Sequence, residues 1–475
     1  MAKFYSSLDQ IKSEIQGGGV TVEGLVKGYL ARIRSNAHLN AFNEVFDEEA
    51  LSRSKIVDER IKAGTAGKLA GMVIGIKDNI CYKGHKVSAS SKILEGFTSI
   101  YSSTIVERLL AEDAIIIGRC NCDEFAMGAS NENSYFGPVR NYADNTKVPG
   151  GSSGGSAVAV QADMCHAAIG TDTGGSVRQP ASFCGLVGLK PTYGSISRHG
   201  IIAYASSFDQ VGPITKSVED AALLLEIMAG ADDYDSTLST AAVPSYSNRL
   251  AADSSKKKIA YIQQAITSPG VDPEVKSTLV LYIDKLRADG HTVTPIAFEY
   301  LDYIVPAYYI LATAEASSNL ARYDGVHYGY RSPAATDLQS TYKRSRSEGF
   351  GKEVKRRIML GTFVLSAGYY DAYYAKAQKV RRLIQEKTDS LLEEYDFILT
   401  PTAPEPAFDI GKTEKDPVVM YLYDIFTVQA SLAGVPAISL PAGTNNEGLP
   451  LGLQLLTKRF AEQELLNFSK YFLKL

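Results

Sequence analysis

The apolar residues of the first 65 positions recur with the period of an α-helix. One predicted helix covers residues 22–33, and Thr21 is placed to cap it with Glu23 in its first turn. Its apolar face consists of Leu25, Val26, Tyr29, Leu30 and Ile33. Residues 50–63 continue the same pattern, so residues 5–65 are predicted to be helical.

Short continuous apolar runs follow, and such runs are typical of strands that are covered on both faces. Strands are predicted at residues 72–76, 114–118, 165–170, 258–262, 397–400, 437–440 and 451–455. Helices are predicted at residues 106–111 and 156–161, with another starting near Val177. Residues 300–395 are rich in helical patterns and tyrosine and contain no clear strand. Alternating strands and helices indicate an α/β domain carrying a helical cap.

The chain contains no internal repeat and no low-complexity linker. We therefore predict one large domain over residues 1–475. It comprises an N-terminal helical region (1–65), a core (66–230), a helical region (300–395) and a C-terminal return to the sheet (396–475).

Charge and cysteine content exclude several classes of protein. The net charge is −4, whereas a chain that grips a phosphate backbone by itself normally has a basic excess. Any nucleic acid is therefore expected to be held by a partner. The five cysteines are scattered and odd in number, which favours free thiols in a reducing compartment over disulfides or a metal site. Without a signal pattern or a long apolar run, the chain is predicted to be cytoplasmic.

Glycine and serine crowd two segments, residues 150–156 and 172–176. Such segments either cradle a phosphate or bring backbone close to a reacting carbonyl group, although they can also be structural turns. A phosphate-binding P-loop requires a lysine that neither segment has. Residues 151–155 match Gly-x-Ser-x-Gly, which would make Ser153 a nucleophile, but the preceding residues form a poor strand and no histidine has a persuasive context.

Together with Lys77 in the run Gly75-Ile76-Lys77-Asp78, these segments resemble the amidase signature family over essentially the whole chain. The resemblance implies a central mixed β-sheet covered by helices on both faces. It also implies a triad of Ser176 as nucleophile, Ser152 as a bridging serine that follows a cis peptide, and Lys77 as base. A lysine serves as base only when neutral, and burial away from carboxylates lowers its pKa.

The nucleophile needs backbone donors for the oxyanion of its tetrahedral intermediate. The candidates are the N–H groups of Thr173, Gly174, Gly175 and Ser176, at the start of the predicted helix. Glycine at two of these positions lets the backbone approach a substrate closely.

Residues 121–128, 348–361 and 421–425 resemble the branch of the family that serves in tRNA-dependent amidotransferases. In that branch the protein hydrolyses glutamine and releases ammonia. The resemblance implies a heterotrimer with B and C subunits, no cofactor on this chain, and ATP and Mg used on a partner that also holds most of the misacylated tRNA. A free-standing amidase for a small carboxamide is the alternative, and a non-catalytic scaffold is a third hypothesis.

Glutamine requires an anionic group for its α-ammonium and a cationic group for its α-carboxylate. The resemblance implies Asp424 for the first and Arg357 for the second, with Arg356 as the neighbouring alternative. An arginine fork binds both oxygens of a carboxylate. Tyr308, or its neighbour Tyr309, is expected to line the pocket. Met127 and Gly128 complete the predicted set.

Overall fold

The computed structural model describes residues 4–412 and 417–475. In this part of the chain eleven strands form one sheet. They are β1 (Phe42–Val45), β2 (Val73–Lys77), β3 (Ile115–Cys120), β4 (Ala167–Asp172), β5 (Val187–Lys190), β6 (Gln210–Thr215), β7 (Lys258–Ile262), β8 (Thr292–Ile296), β9 (Phe397–Pro401), β10 (Ala437–Thr444) and β11 (Pro450–Leu456). Their order across the sheet is β1-β3-β2-β4-β6-β5-β10-β11-β9-β7-β8.

Helices surround this sheet. They are α1 (Leu8–Gln16), α2 (Val22–Ser35), α3 (Asp47–Ala63), α4 (Thr104–Ala111), α5 (Gly154–Gln161), α6 (Arg178–Phe183), α7 (Val218–Met228), α8 (Gln264–Thr267), α9 (Pro273–Ala288), α10 (Leu301–Asn319), α11 (Leu338–Gly349), α12 (Lys352–Val364), α13 (Lys376–Glu394), α14 (Pro417–Leu422), α15 (Val428–Ala433) and α16 (Glu462–Phe472). No helix in the described residues combines the length and apolar character needed to cross a membrane.

The predicted elements are largely confirmed. The strand at 258–262 has the predicted bounds, and the Thr21 hydroxyl caps α2 by accepting from the Gly24 amide at 3.0 Å. One prediction was wrong, because residues 5–65 are not wholly helical. β1 interrupts them, since it pairs with β3 as an antiparallel edge strand. β5, β6 and β8 were not predicted, and Gly212 and Pro213 mask the strand pattern in β6.

The polarity of neighbouring strands concentrates chemistry at one edge of the sheet. β2 pairs in parallel with both β3 and β4, so the carboxyl ends of all three strands meet there. β2 ends at Lys77, and β4 ends at Asp172, where the second glycine-rich segment begins. A parallel sheet commonly places its binding site at this edge.

Apolar residues from alternate strand positions fill cores on both faces of the sheet, because side chains alternate in direction along a strand. In β7, Ile259 belongs to one buried cluster and Ala260 to another. The first cluster includes Leu279 of α9 and Phe468 of α16. The second is formed with the helices of the predicted cap, for example through Leu311 of α10. The prediction of an α/β domain with helices on both faces is confirmed.

Candidate active site

Lys77 is fully buried at the end of β2. Its Nζ lies 2.7 Å from Ser152 Oγ, 2.9 Å from Ser153 Oγ and 3.3 Å from the carbonyl oxygen of Thr171. No carboxylate among the described residues lies within ion-pair distance of this amine. Polar but uncharged oxygens therefore make all of its close contacts.

Burial lowers the pKa of Lys77 to about 8, and the more distant charges of Cys122, Asp123 and Asp172 offset part of that effect. Desolvation penalises the ammonium form because the interior solvates a charge poorly. A substantial fraction of neutral amine is consequently present near neutral pH, as a lysine base requires.

The two glycine-rich segments meet at this amine. The peptide between Gly151 and Ser152 is cis, and the Ser152 carbonyl accepts from the Asp123 amide at 3.1 Å. The Ser153 amide donates to the carbonyl of Ser176 at 3.1 Å. The structure thus brings Lys77 and Ser152 into direct contact and joins Ser176 to them through the neighbouring backbone.

Exposure separates Ser153 from Ser176. Ser153 is fully buried, and its hydroxyl is occupied by Lys77 and by the Thr171 carbonyl at 3.2 Å. Ser176 retains 7% exposure. Of the two serines, only Ser176 keeps some exposure, whereas the Ser153 hydroxyl is enclosed against the lysine.

The segment 173–176 presents free backbone donors. Within residues 4–412 and 417–475, none of the amides of Thr173, Gly174, Gly175 and Ser176 donates to a backbone carbonyl. They precede α6, whose N-terminus favours negative charge nearby. Unpaired amides at this place have the properties that stabilise an oxyanion.

Neighbouring side chains fix the shape of this segment. The Thr173 hydroxyl donates to Asp209 at 2.7 Å, and the Thr427 hydroxyl donates to the Gly174 carbonyl at 2.5 Å. A Cβ at position 174 would lie 2.6 Å from the Tyr308 hydroxyl, and one at position 175, where φ is +139°, would collide with Thr427 Oγ1. Glycine is therefore required at both positions.

A buried ion pair between Arg178 and Asp172 anchors the segment 173–176. Arg178 donates to Asp172 through Nε at 3.0 Å and through Nη2 at 2.9 Å. Its Nη1 donates to the Thr427 carbonyl at 2.8 Å. Burial tends to raise the pKa of Asp172, but the Arg178 guanidinium outweighs it, so the net pKa is lowered. The carboxylate therefore stays charged and the pair stays formed.

Arg357 of α12 is also buried, with 2% exposure, which excludes a solvated surface role. Its Nε donates to Glu353 at 2.9 Å, and its Nη1 donates to the Tyr204 hydroxyl at 2.9 Å. Nη2 has no hydrogen-bond partner among the described residues. An unsatisfied buried guanidinium N–H is costly, so this donor is suited to an anionic group of a ligand.

Asp424 lies beside this arginine. Its carboxylate accepts a hydrogen bond from the Tyr309 hydroxyl at 2.7 Å, and the Arg357 guanidinium sits 5.1 Å from the Tyr309 ring centroid. Burial raises the pKa of Asp424 to about 7. A cationic ligand would supply the missing charge partner and restore full ionisation.

The structure distinguishes the neighbouring candidates left open by the sequence. Arg356 points outward, with 35% side-chain exposure, and pairs with Glu353. Tyr309 contacts Asp424, whereas Tyr308 packs against Gly174. Both tyrosines therefore border the site, and of the two arginines only Arg357 is enclosed.

The other two residues predicted for the pocket are Met127 and Gly128. Met127 is fully buried in the apolar cluster that also contains Tyr308. A Cβ at Gly128 would collide with the Asp123 carboxylate. Gly128 thus permits the close packing of Asp123 against the first glycine-rich segment.

Sequence reasoning missed several residues that shape the site. Thr427, Asp209 and Tyr204 make side-chain contacts across long sequence separations, whereas Glu353 contacts Arg357 within the same helix. Only Glu353 carried a signal, because it lies one helical turn before Arg357 on the same face.

Comparison with known proteins agrees with this geometry. The chain matches the Amidase family over residues 24–466, and it belongs to that family. The family and the site together define an amidohydrolase.

Two relatives that share one name are similar to nearly the whole chain. The chain is 52% identical over 466 residues to the A subunit of glutamyl-tRNA(Gln) amidotransferase from Chlorobium phaeobacteroides, covering 98% of each chain. It is 51% identical over 468 residues to the protein of the same name from Chlorobium luteolum, covering 98% of this chain and 96% of the relative.

Two solved structures are also similar to the chain, one of a protein with the same name as these relatives and one of a peptide amidase. The crystal structure of the glutamyl-tRNA(Gln) amidotransferase A subunit from Thermotoga maritima is 41% identical, with a TM-score of 0.79, over 95% of this chain and 91% of that one. The native peptide amidase of Stenotrophomonas maltophilia is 29% identical, with a TM-score of 0.81, over 98% of this chain and 95% of that one.

Proposed function

We propose that this chain is the glutaminase subunit of a tRNA-dependent amidotransferase. The observation that carries the proposal is that an Arg357 Nη2 unpartnered within the described residues and a buried Asp424 carboxylate, both in contact with Tyr309, lie near the serine–lysine site. These two groups match the α-carboxylate and α-ammonium of an amino acid. The name of the relatives, glutamyl-tRNA(Gln) amidotransferase, supports a role in amide transfer, and the family resemblance implies glutamine as that amino acid.

In the proposed mechanism, neutral Lys77 accepts a proton from Ser152 while Ser152 accepts one from Ser176. Ser176 Oγ bonds to the amide carbon of glutamine, and the carbonyl electrons move to the oxygen, which binds the amides of residues 173–176. The proton returns through Ser152 to the nitrogen, the C–N bond breaks, and ammonia leaves. Water then attacks the glutamyl ester, activated by the same relay, and releases glutamate.

The ammonia serves a reaction on the B and C subunits of a heterotrimer. The partner subunit would use ATP and Mg to convert the side-chain carboxylate of misacylated Glu-tRNA(Gln) to a γ-phosphoryl-glutamyl intermediate, which is an acyl phosphate. Ammonia would attack its carbonyl carbon and phosphate would leave, giving Gln-tRNA(Gln). The net charge of −4 supports this division of labour, because a partner would hold most of the tRNA. A cytoplasmic location, where the aminoacyl-tRNA is made, belongs to the same proposal.

Two measurements test the proposal. Affinity purification from a native lysate should recover two co-purifying subunits. The complex should hydrolyse glutamine faster when ATP and misacylated tRNA are present, and Ser176→Ala should abolish that hydrolysis. Failure to consume glutamine in the full mixture would refute the proposal.

The alternative of a free-standing amidase for small carboxamides is distinguished by substrate preference. The similarity to a peptide amidase keeps this alternative open for a test. If apolar amides are cleaved faster than glutamine, and if Arg357→Ala and Asp424→Ala leave glutamine turnover unchanged, the alternative is favoured.

A further inference from the structure

We infer that Thr427 is a positioning residue for the oxyanion donors, acting through the peptide that joins Gly174 to Gly175. This inference rests on the proposed function, since it assigns a role to the segment 173–176 during amide cleavage. Thr427 is fully buried and lies outside the segments that identified the family.

The Thr427 hydroxyl constrains the stereochemistry of one peptide. The Thr427 hydroxyl donates to the Gly174 carbonyl at 2.5 Å. In a trans peptide the carbonyl and the following N–H point in opposite directions. Fixing the Gly174 carbonyl on Thr427 therefore fixes the Gly175 N–H to point away from Thr427, where it donates to no backbone carbonyl of the described residues.

The peptide between Gly174 and Gly175 needs an external restraint. Gly175 has a φ of +139°, and a glycine pair has a wide choice of backbone conformations. Without the hydroxyl, the peptide could rotate and turn the Gly175 N–H away from its present direction. An oxyanion donor is effective only when it is aligned before the charge develops.

Thr427 is itself held in place. Its carbonyl accepts from Arg178 Nη1 at 2.8 Å, and Arg178 is anchored on Asp172. Its amide donates to the Asp424 carbonyl at 3.1 Å. The turn from Asp424 to Thr427 thus links the residue proposed to bind the substrate ammonium with the residue that orients the oxyanion donor.

The test compares Thr427→Val, which keeps the shape and removes the hydroxyl, with Thr427→Ser, which keeps the hydroxyl. Both are made in the complete complex with its partners. Thr427→Val should lower kcat for glutamine about 10- to 100-fold, less than the roughly 10²–10³-fold loss of an entire donor, and leave KM within about 2-fold. Thr427→Ser should restore kcat to within about 3-fold of the parent.

A glutamine analogue with an aldehyde in place of the amide adds a readout beyond turnover. Its tetrahedral adduct places an oxyanion in the site, so Thr427→Val should weaken inhibition by about the same factor as kcat. Thr215→Val is the matched control, because this buried hydroxyl donates to the Ser217 carbonyl at 2.7 Å, at the end of β6 far from Asp172. It should change neither value.

The inference is overturned if Thr427→Val retains kcat and aldehyde affinity within about 2-fold, or if Thr427→Ser fails to restore them. Should Thr427→Val not fold, Thr427→Cys supplies a weaker donor and should give an intermediate kcat. Ser176→Ala, measured in parallel, separates the hypotheses. Retained turnover in Ser176→Ala refutes the proposed function, whereas an inactive Ser176→Ala with a fully active Thr427→Val refutes only this inference.

Discussion

The protonation state of Lys77 should set the pH dependence of glutamine hydrolysis. Burial lowers its pKa from 10.5 to about 8. At pH 7 the neutral fraction is then about one tenth, against about three parts in ten thousand for an unperturbed lysine, a gain of roughly 300-fold. Because the Lys77 amine is neutral at pH values above its pKa, kcat/KM should rise with pH and level off above about pH 8.

Asp424 adds a second limb to the same profile. Its pKa is raised to about 7 by burial, and only the ionised form attracts the α-ammonium of glutamine. Below about pH 7 the slope of log kcat/KM should therefore approach two, and between the two pKa values it should be close to one. Asp424→Asn should remove the lower limb and leave the upper one.

The assay is glutamate release by the full complex from about pH 6 to about pH 9, with kcat/KM corrected for the fraction of glutamine whose own α-ammonium loses its proton toward the upper end of this range. A profile that stays flat across this range would refute the assignment of Lys77 as base. So would a value of kcat/KM that still rises about tenfold per pH unit at about pH 9, as an exposed lysine would give.

The remaining predictions concern binding and stability. Arg357→Ala should raise KM for glutamine about 10- to 100-fold, because it removes a charged hydrogen bond to the substrate carboxylate. Arg382→Ala, at an exposed position, should leave KM unchanged. Equal KM values for the two variants would contradict the proposed binding of the carboxylate by Arg357. Asp172→Asn should lower the free energy of unfolding, measured by urea titration, by about 3–5 kcal/mol, because it leaves the buried charge of Arg178 without a partner. A loss below about 1 kcal/mol would show that the ion pair contributes little to stability. Gly28→Ala, in a helix position where an added Cβ meets nothing within 4 Å, should gain about 0.5–1 kcal/mol without changing kcat; a loss of stability would contradict the open packing there.

The contact between Lys77 and Ser152 was implied by the resemblance to the amidase signature family, and local features of the sequence agree with it. An apolar strand ends at Lys77, and Gly150 and Gly151 permit a close backbone approach before Ser152. The covered strands were predictable from the residues themselves, since continuous apolar runs such as residues 114–118 have few alternatives once they are bounded by polar residues.

Other parts of the site left no local trace. Thr427 contacts Gly174 across 253 positions, and a threonine among apolar residues does not reveal such a partner. β1 was missed because its four residues are all only partly buried and stand between helices, so pairing with β3 rather than local pattern determines their conformation. Tyr308 and Tyr309 could not be separated either, since both residues are buried on α10 and only the position of Asp424 distinguishes them.

Acylation by glutamine tests the central claim most directly. Rapid quenching of the complex with glutamine, followed by mass spectrometry of its peptides, should find the glutamyl ester on Ser176. In Lys77→Met, which removes the base at the 2.7 Å contact with Ser152, the rate of ester formation should fall by about 10²-fold or more. An ester on Ser153, or equally fast acylation with methionine at position 77, would contradict the account.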